Sequence, residues 1–317
     1  MNAAGAAQMG AELARLDKQA TEQGLALERD VPLAPLTTLR VGGPADRLVL
    51  ARDRDELLAA LRLARAAGVP WFVLGNGSDL VVADAGIRGL VIRNRARAVT
   101  IDGTSLRADA GSAMAMLVKR CTQEGLTGLE FGISIPGTLG GAVWANAGAH
   151  EGEMRQVVSR VEVWDPKGGG EHRLAAEECA FRYRDSRFKH SAEVVVAATL
   201  QLAAGDPAQI ARGVDEHQAQ RRATQPLADQ NAGSVFRNPP GDHAGRLIEA
   251  AGLKGFRLGT ASVSTLHANF IVTDRGARAS DVRALGEHVR ETVAARFGVT
   301  LMYEIEFVGA WDAEDAG

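Results

Sequence analysis

Residues 126–154 read LTGLEFGISIPGTLGGAVWANAGAHEGEM, and the rest of the chain is best interpreted around this segment. Glycines and other small residues dominate it, and few of its positions carry charge. Glycine lets a backbone turn tightly and approach a flat ligand without an intervening side chain. The segment therefore predicts a surface for a planar cofactor, although a glycine-rich turn beneath a sheet would explain it better if it stood alone.

The length and composition indicate a globular enzyme of more than one domain. A chain of 317 residues exceeds one ordinary hydrophobic core and predicts two domains, or three. The net charge of -3 gives no overall basic field, so bulk attraction to nucleic acid or to an anionic membrane is not expected. The sequence has no long uncharged apolar run, and charges interrupt its first thirty residues, so we expect a cytoplasmic protein without a signal peptide.

The two cysteines, Cys121 and Cys179, lie far apart and are accompanied by no CxxC motif or His/Cys cluster. A disulfide framework is therefore not expected, and neither is a metal site. Both thiols are predicted to be buried and reduced.

The first half contains a strand-helix-strand pattern. An apolar run at 45–50 is followed by Asp53 and Glu56 in a capping-box pattern, then by apolar residues at helical spacing. Gly68 ends this predicted helix, and a strand resumes at 71–74. Such a unit is typical of a crossover in a parallel or mixed sheet.

A second glycine-bearing loop, GNGSD at 75–79, follows that strand directly. Its free backbone N–H groups and its serine hydroxyl make it a candidate for holding a pyrophosphate. It matches neither GxGxxG nor GxxxxGK[ST], and a strand rather than a helix follows, so neither a Rossmann nor a P-loop site is predicted. A plain turn is an equally good explanation of the loop taken alone.

Helical and strand patterns continue through the second half. A hairpin turn is predicted at 167–170, a linker at 203–207 and a helix at 208–223. Ser280 is predicted to cap an amphipathic helix whose inward residues include Phe297. The last strand, 299–307, places its alternate apolar residues on one face and two carboxylates on the other.

Two further segments could bind a ligand. Residues 181–189, FRYRDSRFK, interleave arginines and a lysine with aromatic rings, which suits a carboxylate clamp beside a ring as well as it suits a solvated loop. Residues 231–240, NAGSVFRNPP, form a small-residue loop in which a serine is more often a turn residue than an acid.

Taken together, these segments resemble one family. LGNGSDLVV, IPGTLGGAVWANAGAHEGE, YRDSRFK, AGSVFRNPP, AGRLIEAAGLKG, STLHANFIV and the terminal YEIEFVG are similar, in this order, to the UDP-N-acetylenolpyruvoylglucosamine reductase family of bacterial flavoenzymes. The resemblance runs from about residue 36 to 309. Each motif alone is weakly specific, whereas the joint match is highly specific.

The resemblance implies an α+β and α/β fold in which a FAD-binding domain of the vanillyl-alcohol oxidase (PCMH) type precedes a smaller α+β substrate domain. The FAD-binding domain is expected at 25–204, in subdomains of about 25–100 and 101–204. The substrate-binding domain is expected at 205–309, followed by a tail at 310–317. Residues 1–24 are expected to be an extension, loosely helical or partly disordered.

The resemblance also implies roles for individual residues. The catalytic set would be Arg184, Ser234 and Glu304. FAD would be held by Gly75, Asn76, Gly77, Ser78, Asp79, Pro136, Gly137, Thr138, Gly140, Gly141, Asn146, Ala147 and Gly148. The UDP-sugar would be contacted by Arg222, Asn238 and His267.

The implied reaction is NADPH-dependent reduction of UDP-N-acetylglucosamine enolpyruvate to UDP-N-acetylmuramate, a step of peptidoglycan precursor synthesis, in an enzyme expected to be monomeric. Two departures from the family pattern concern the substrate site. Thr224 stands where the family commonly has a lysine, which puts one phosphate contact in doubt. The chain also lacks an inserted segment with a mobile tyrosine, so it resembles the shorter class.

Three alternatives remain open at this point. The first is another FAD-dependent oxidase or dehydrogenase of the same fold, which would be expected to carry a flavin-linking histidine or cysteine. The second is a non-catalytic flavin-carrying subunit that passes electrons to a partner. The third is a binding protein without flavin, which a colourless preparation would identify.

Overall fold

The structure is a computed structural model that describes residues 3–311, so Met1, Asn2 and most of the predicted tail lie outside the described residues. The helices are α1 (Ala3–Glu22), α2 (Arg54–Ala67), α3 (Met114–Gln123), α4 (Leu139–Ala145), α5 (Pro207–Thr224), α6 (Ala244–Ala250) and α7 (Ala279–Phe297). In the described part of the chain, no helix combines the length and apolar character needed to span a membrane.

The strands are mostly short. They are β1 (Glu28–Pro32), β2 (Pro44–Ala51), β3 (Trp71–Leu74), β4 (Leu80–Val82), β5 (Ile87–Asn94), β6 (Val99–Asp102), β7 (Ser105–Asp109), β8 (Leu126–Thr127), β9 (Gly148–Ala149), β10 (Gly152–Glu153), β11 (Val158–Asp165), β12 (Gly170–Ala175), β13 (Val194–Gln201), β14 (Ala203–Ala204), β15 (Gln230–Asn231), β16 (Arg257–Leu258), β17 (Ala261–Val263), β18 (Ile271–Thr273) and β19 (Glu306–Val308).

The chain divides into two compact units, each built from separate stretches of sequence. Of the described residues, the first unit contains those up to Arg29, Arg47–Gly75 and Gly89–Gln220. The second contains Asp30–Asp46, Asn76–Arg88 and the described residues from Arg221 onward. The boundaries expected at 24, 100, 204 and 309 divide the chain into consecutive domains, whereas each observed unit combines stretches that are separate in sequence. The expected boundaries therefore stay predictions.

The first unit contains a five-stranded antiparallel sheet in the order β12-β11-β13-β7-β6. The predicted hairpin at 167–170 is confirmed, because β11 and β12 pair on either side of it. The core of this region contains the fully buried side chains of Leu117, Leu139 and Val161, which come from α3, α4 and β11. Hydrophobic burial therefore fixes α3 and α4 on the sheet.

The strand-helix-strand pattern supplies β2, α2 and β3, and the two strands belong to a four-stranded sheet whose order is β1-β2-β5-β3. The predicted cap of α2 is confirmed for Asp53, whose carboxylate accepts a hydrogen bond from the Glu56 N–H at 2.9 Å. The capping box is not completed, since the Glu56 carboxylate accepts from the Arg52 N–H instead. Gly68 ends the helix with φ 71°, a left-handed conformation that favours glycine. β5 lies between the two strands that α2 connects and pairs with β3 in parallel.

The N-terminal segment is an ordered helix in the described residues. In α1, Leu16 and Ala20 are buried against the first unit's core. The Asp17 carboxylate lies 2.7 Å from both Arg47 and Arg29, and the hydrogen bond from Arg47 is the main reason that its pKa is lowered. The prediction of a helix there is confirmed for residues 3–22.

The linker predicted at 203–207 is wrong. Ala203 and Ala204 form β14, which pairs with β8, and α5 begins at Pro207. The chain passes from the first unit to the second within α5, between Gln220 and Arg221. Ala203 and Ala204 are exposed, and strand pairing rather than an unpaired linker accounts for this segment.

Both predictions about the cysteines are confirmed. Cys121 and Cys179 are free and buried. Burial raises the pKa of the Cys121 thiol to about 12 and that of Cys179 to about 11, so both are protonated near neutral pH.

A buried ionic network connects α2 with the antiparallel sheet. Glu162 on β11 is 7% exposed, and its carboxylate accepts hydrogen bonds of 2.6 Å from both Arg107 and Arg54. The hydrogen bond from Arg107 is the largest cause that lowers the pKa of Glu162 to about 2. Removing this charge would leave Arg107 with Asp109 and Arg54 with Glu171 as their remaining counter-ions, without the buried carboxylate that joins them.

Glu162→Gln is therefore expected to lower the free energy of unfolding at neutral pH by about 3 kcal/mol. In the wild type the contribution is present above the ordinary pKa of 4.5 and is lost as the pH falls toward 2. Urea unfolding at neutral pH and between about pH 5 and pH 3 measures both effects. Glu171→Gln is the matched control, because Glu171 is more exposed and its loss is expected to cost less than about 1 kcal/mol. Equal losses in the two variants would contradict this account.

The second unit contains α6, α7 and the sheet β15-β18-β17-β16, and β19 pairs in parallel with β4. Its core includes Leu247 of α6 and Leu285 and Val289 of α7. The inward face predicted for α7 is confirmed for these aliphatic residues. It is wrong for Phe297, which is 37% exposed.

The cap predicted for α7 is also wrong. Its N-cap residue is Arg278, and Ser280 lies inside the first turn. The Asp84 carboxylate instead accepts hydrogen bonds from the N–H groups of Ala279 at 2.8 Å and Ser280 at 3.0 Å. A residue almost 200 positions earlier thus supplies the cap, which local sequence could not indicate.

The final segment is a strand only in part. Residues Glu306–Val308 form β19, and Tyr303 makes an isolated antiparallel bridge with Phe236. The predicted alternation is confirmed, because Leu301 and Ile305 are buried in the second unit's core. The continuous strand predicted at 299–307 is wrong, since the chain changes pairing partners along its length.

Candidate functional site

The glycine-rich segment lies against residues 110–112 in the first unit. The N–H of Leu139 donates to Ser112 O and that of Gly140 donates to Ala110 O, both at 2.8 Å. A Cβ on Gly140 would lie 2.8 Å from the Ala110 Cβ, so only glycine allows this approach. Gly141 differs, because it is exposed and a Cβ there would meet only Thr138 Oγ1, at 3.8 Å. Gly141 is therefore a position of the segment where the main chain is accessible and the adjoining space is open.

Two of the predicted cofactor-binding segments meet within the first unit. Gly75, at the end of β3, approaches Thr138 so closely that a Cβ would lie 2.7 Å from Thr138 Oγ1. Pro136 is exposed and precedes this contact in the chain. The structure therefore brings Gly75 together with residues 136–141.

Asn146 connects several parts of the first unit. It is fully buried, ends α4 with φ 44°, and donates through Nδ2 to Glu153 and to the carbonyl of Arg182. Its Oδ1 accepts from the Arg155 N–H at 2.9 Å. These partners occupy the side chain, and the cofactor contact implied for Asn146 stays a prediction.

Gly148 has a structural explanation of its own. It pairs with Glu153 in the β9–β10 hairpin, and a Cβ at this position would lie 2.5 Å from Gly152 O. Ala147 and Gly148 are half-buried. Close packing of the hairpin therefore requires the glycine, whatever it contacts besides.

Arg184 belongs to the arginine-rich segment 181–189 and contacts the glycine-rich segment at Gly148. It occupies a tight turn in which Arg182 and Asp185 exchange backbone hydrogen bonds, and its φ is 53°. The guanidinium donates to Gly148 O at 2.7 Å and lies 5.2 Å from the Tyr183 ring centroid. For a residue other than glycine, this left-handed backbone conformation raises the conformational free energy by about 1 to 2 kcal/mol. Such strain is a reason to look for function at a residue.

Neighbouring contacts hold this turn in place. Ser186 donates to Trp144 O at 2.6 Å, and the Lys189 ammonium lies 4.3 Å from the Trp144 ring centroid. The arginine-rich segment is therefore docked on α4 and is not a fully solvated loop.

The rest of the second glycine-bearing loop belongs to the second unit. Gly77 has φ 64°, and a Cβ there would lie 2.5 Å from Leu36 O. Its carbonyl accepts from the Thr38 N–H at 2.9 Å, and Asp79 O accepts from the Glu306 N–H at 3.0 Å. Packing explains the turn, and the pyrophosphate role of Asn76, Gly77, Ser78 and Asp79 stays a prediction.

Ser234 and Glu304 lie on neighbouring backbones of the second unit. The Glu304 N–H donates to Val235 O at 2.8 Å, and the Val235 N–H donates to Asn269 O at 2.8 Å. Ser234 and Glu304 are both half-buried. Two of the three predicted catalytic residues, 70 positions apart, are thus brought together by backbone pairing.

The residues predicted to contact the substrate lie in two different places of the second unit. Asn238 Oδ1 accepts from the Ala244 N–H at 3.0 Å, and the His267 ring packs 3.2 Å from where a Cβ on Gly245 would lie. Both therefore adjoin the start of α6. Burial lowers the pKa of His267, which favours the neutral ring. Arg222 lies exposed in the last turn of α5.

A groove beside the glycine-rich segment was not indicated by the sequence. It has a volume of about 670 Å³ and is lined within the first unit by residues that include His150, Glu151 and His217. The two imidazoles stack with centroids 3.9 Å apart, and Ser134 Oγ lies 2.8 Å from His150 Nε2. His150 and His217 are far apart in sequence, so no motif spacing could have revealed their contact.

Comparisons with known proteins bear on these observations. Residues 44–172 match the model of a family described as a FAD binding domain. Residues 225–308 match the model described as the UDP-N-acetylenolpyruvoylglucosamine reductase C-terminal domain. Together the two models cover more than half of the chain.

Whole-length relatives agree with both models. The chain is 46% identical over 286 residues to UDP-N-acetylenolpyruvoylglucosamine reductase 2 of Symbiobacterium thermophilum, covering 89% of this chain and 92% of the relative. It is 47% identical over 279 residues to the reductase of Moorella thermoacetica, covering 88% and 92%. Among solved structures, the reductase of Thermus caldophilus is 38% identical with a TM-score of 0.77, covering 89% of this chain and 99% of that one.

Proposed function

Because the chain belongs to the UDP-N-acetylenolpyruvoylglucosamine reductase family, we propose that it catalyses the NADPH-dependent reduction of UDP-N-acetylglucosamine enolpyruvate through FAD. The product would be UDP-N-acetylmuramate. Relatives of 46% and 47% identity that span nearly the whole chain support this reaction over the other chemistries open to a FAD-binding fold.

The residues of the first unit fit a flat cofactor. Gly141 exposes main chain beside open space that any side chain would fill, next to the buried contact between Thr138 and Gly75. We propose that residues 136–141 and 146–148 line the flavin and that residues 75–79 hold the pyrophosphate. When bound, FAD would take hydride from NADPH and supply it to C3 of the enolpyruvyl ether.

Two adjacent glycines allow a direct test of this cofactor surface. Gly141→Ala is expected to weaken FAD binding at least about tenfold, because the new methyl group fills the space proposed for the ring. The melting temperature of its apoprotein is expected to be unchanged or higher, since alanine is more favourable than glycine within a helix.

Gly140→Ala is the matched control and is expected to lower the melting temperature of the apoprotein, because its Cβ would collide with Ala110. Fluorescence titration of apoprotein with FAD and thermal unfolding measure the two effects. Unchanged FAD affinity in Gly141→Ala would remove Gly141 from the cofactor site.

The chain's own residues would handle the charge and the proton. As C3 of the substrate gains hydride, negative charge moves toward C2 and the carboxylate. We propose that Arg184 pairs with both carboxylate oxygens, which a permanently charged, planar guanidinium suits. Glu304 would orient the same group, and Ser234 would give its hydroxyl proton to C2. The carbon–carbon double bond is thereby saturated by one hydride and one proton.

The strongest support for the role proposed for Arg184 comes from its backbone conformation and its contact with Gly148. Arg184 adopts a strained left-handed backbone and places its guanidinium 2.7 Å from Gly148 O, at the end of the proposed flavin surface. This location suits a charge that must be close to the reacting carbons. We further propose that Asn238, His267 and Arg222 contact the UDP-sugar.

Anaerobic half-reactions test the proposed function. The purified protein is expected to carry flavin absorbance that NADPH bleaches and that UDP-N-acetylglucosamine enolpyruvate restores, with UDP-N-acetylmuramate as the product. Bleaching without restoration by this substrate would favour another flavin enzyme or an electron-transfer subunit. A colourless protein that does not bind FAD would contradict the proposal altogether.

We also propose that the enzyme acts as a monomer in the cytoplasm, where NADPH and nucleotide sugars are available. Light scattering at micromolar concentration tests the first statement, and cell fractionation tests the second.

A further inference from the structure

Aromatic rings form a continuous ladder in the second unit. Its members are Phe236, Tyr303, Phe307 and Trp311, with successive ring centroids 4.9, 4.9 and 5.6 Å apart. The ladder begins two residues after Ser234, and its second ring directly precedes Glu304. Phe236 and Tyr303 are also joined through their backbones as an antiparallel bridge.

The Tyr303 hydroxyl is held by a pair of charged residues on α7. It donates to Glu287 Oε1 at 3.0 Å, and Arg290 Nη1 donates to Glu287 Oε2 at 2.6 Å. The Arg290 guanidinium also lies 5.2 Å from the Tyr303 ring centroid. Burial raises the pKa of Tyr303, so the phenol remains a hydrogen-bond donor.

A glycine in the middle of α7 makes room for this phenol. A Cβ on Gly286 would lie 2.5 Å from the Tyr303 oxygen and 3.1 Å from a ring carbon. Glycine is unfavourable within a helix, so its presence at a buried position indicates a packing requirement. The side chain of Tyr303 is therefore fixed from α7 on one side and from Phe236 on the other.

Backbone hydrogen bonds connect Tyr303 to the two segments that carry the proposed catalytic residues. On one side of the Phe236–Tyr303 bridge, Glu304 bonds Val235, and on the other the Arg237 N–H donates to Met302 O at 2.9 Å. A shift of Tyr303 would therefore move Glu304 relative to the Ser234 segment. The opposite edge of that segment is already clamped, because the Asn269 side chain bonds both the N–H and the carbonyl of Phe236.

We propose that Tyr303, anchored by Glu287 and Arg290, is a positioning residue that sets the spacing between Ser234 and Glu304. It touches neither substrate nor cofactor in this account and acts only through the two residues beside it. The inference rests on the proposed function, because Ser234 and Glu304 are its proposed proton donor and orienting group.

Two variants disturb the Tyr303 side chain in different ways. Tyr303→Phe keeps the ring and removes the hydrogen bond to Glu287, and Gly286→Ala pushes the ring away from α7. In both, flavin reduction by NADPH is expected at the wild-type rate, while reoxidation by the enolpyruvyl substrate slows about tenfold at an unchanged KM. The solvent deuterium isotope effect on reoxidation is expected to rise, because proton transfer becomes slower. Trp311→Phe is the matched control at the far end of the ladder and should leave both rates unchanged.

The outcomes separate this inference from the proposed function. Failure of the wild type to be reoxidised by the substrate would contradict the function itself. Wild-type reoxidation rates and isotope effects in both Tyr303→Phe and Gly286→Ala, alongside an active wild type, would overturn the positioning role alone. Equal slowing of both half-reactions together with a lower melting temperature would overturn it too, because that pattern indicates general loosening of the fold.

Discussion

Ser234→Ala is expected to bind FAD and to be reduced by NADPH normally, yet to lose about 100- to 10,000-fold in reduction of the enolpyruvyl substrate. The reason is that only the second half-reaction needs a proton at C2, and the variant removes the proposed donor. Stopped-flow absorbance of the flavin measures the two half-reactions separately. The side chain is small and half-buried, so the fold should tolerate its loss.

Ser280→Ala is the matched control for this change. Its hydroxyl is also in the second unit, is buried, and has no hydrogen-bond partner among the described residues. The same chemical change should therefore leave both half-reactions intact. If Ser234→Ala instead lost its reduction by NADPH while substrate reduction stayed normal, Ser234 would not be the proton donor.

Arg184→Lys is expected to lower kcat/KM for the enolpyruvyl substrate by about 100- to 1,000-fold while FAD content stays normal. A lysine keeps the positive charge but has a single point of attachment, so it cannot pair with both carboxylate oxygens in one plane. It also loses the planar donor that now bonds Gly148 O. Steady-state kinetics together with the flavin content of the purified variant measure the result.

Arg182→Lys tests whether the effect belongs to this position. Arg182 lies in the same turn, is exposed, and contributes its carbonyl rather than its side chain to the bond with Asn146. Near-normal turnover is expected for this control. Near-normal turnover in Arg184→Lys as well would reduce Arg184 to a residue that only completes the turn.

The predictions that held were those in which neighbouring residues decide the structure. Asp53 caps α2 because its carboxylate reaches an N–H three residues ahead, and Gly68 ends the helix because its own φ is positive. The alternation at 299–307 likewise predicted which side chains face the core. Such patterns depend on spacing along one element, which a sequence displays directly.

The predictions that failed depended on partners distant in sequence. Ser280 suited a cap by its type, but Asp84, from another part of the second unit, bonds the N–H groups of Ala279 and Ser280 at the start of the helix. Residues 203–207 suited a linker, but β14 pairs with β8. In each case a tertiary contact outweighed a weak local preference.

For the candidate site, the sequence by itself determined the family, the cofactor class and the residue types available for chemistry, because each glycine-bearing motif keeps its own order and spacing. Only the tertiary structure decided that Arg184 bonds Gly148, that Asn146 is occupied by the protein's own groups, and that Ser234 pairs beside Glu304. The physical reason is that hydrogen bonds and packing between segments far apart in the chain depend on distances in space, which no local pattern encodes.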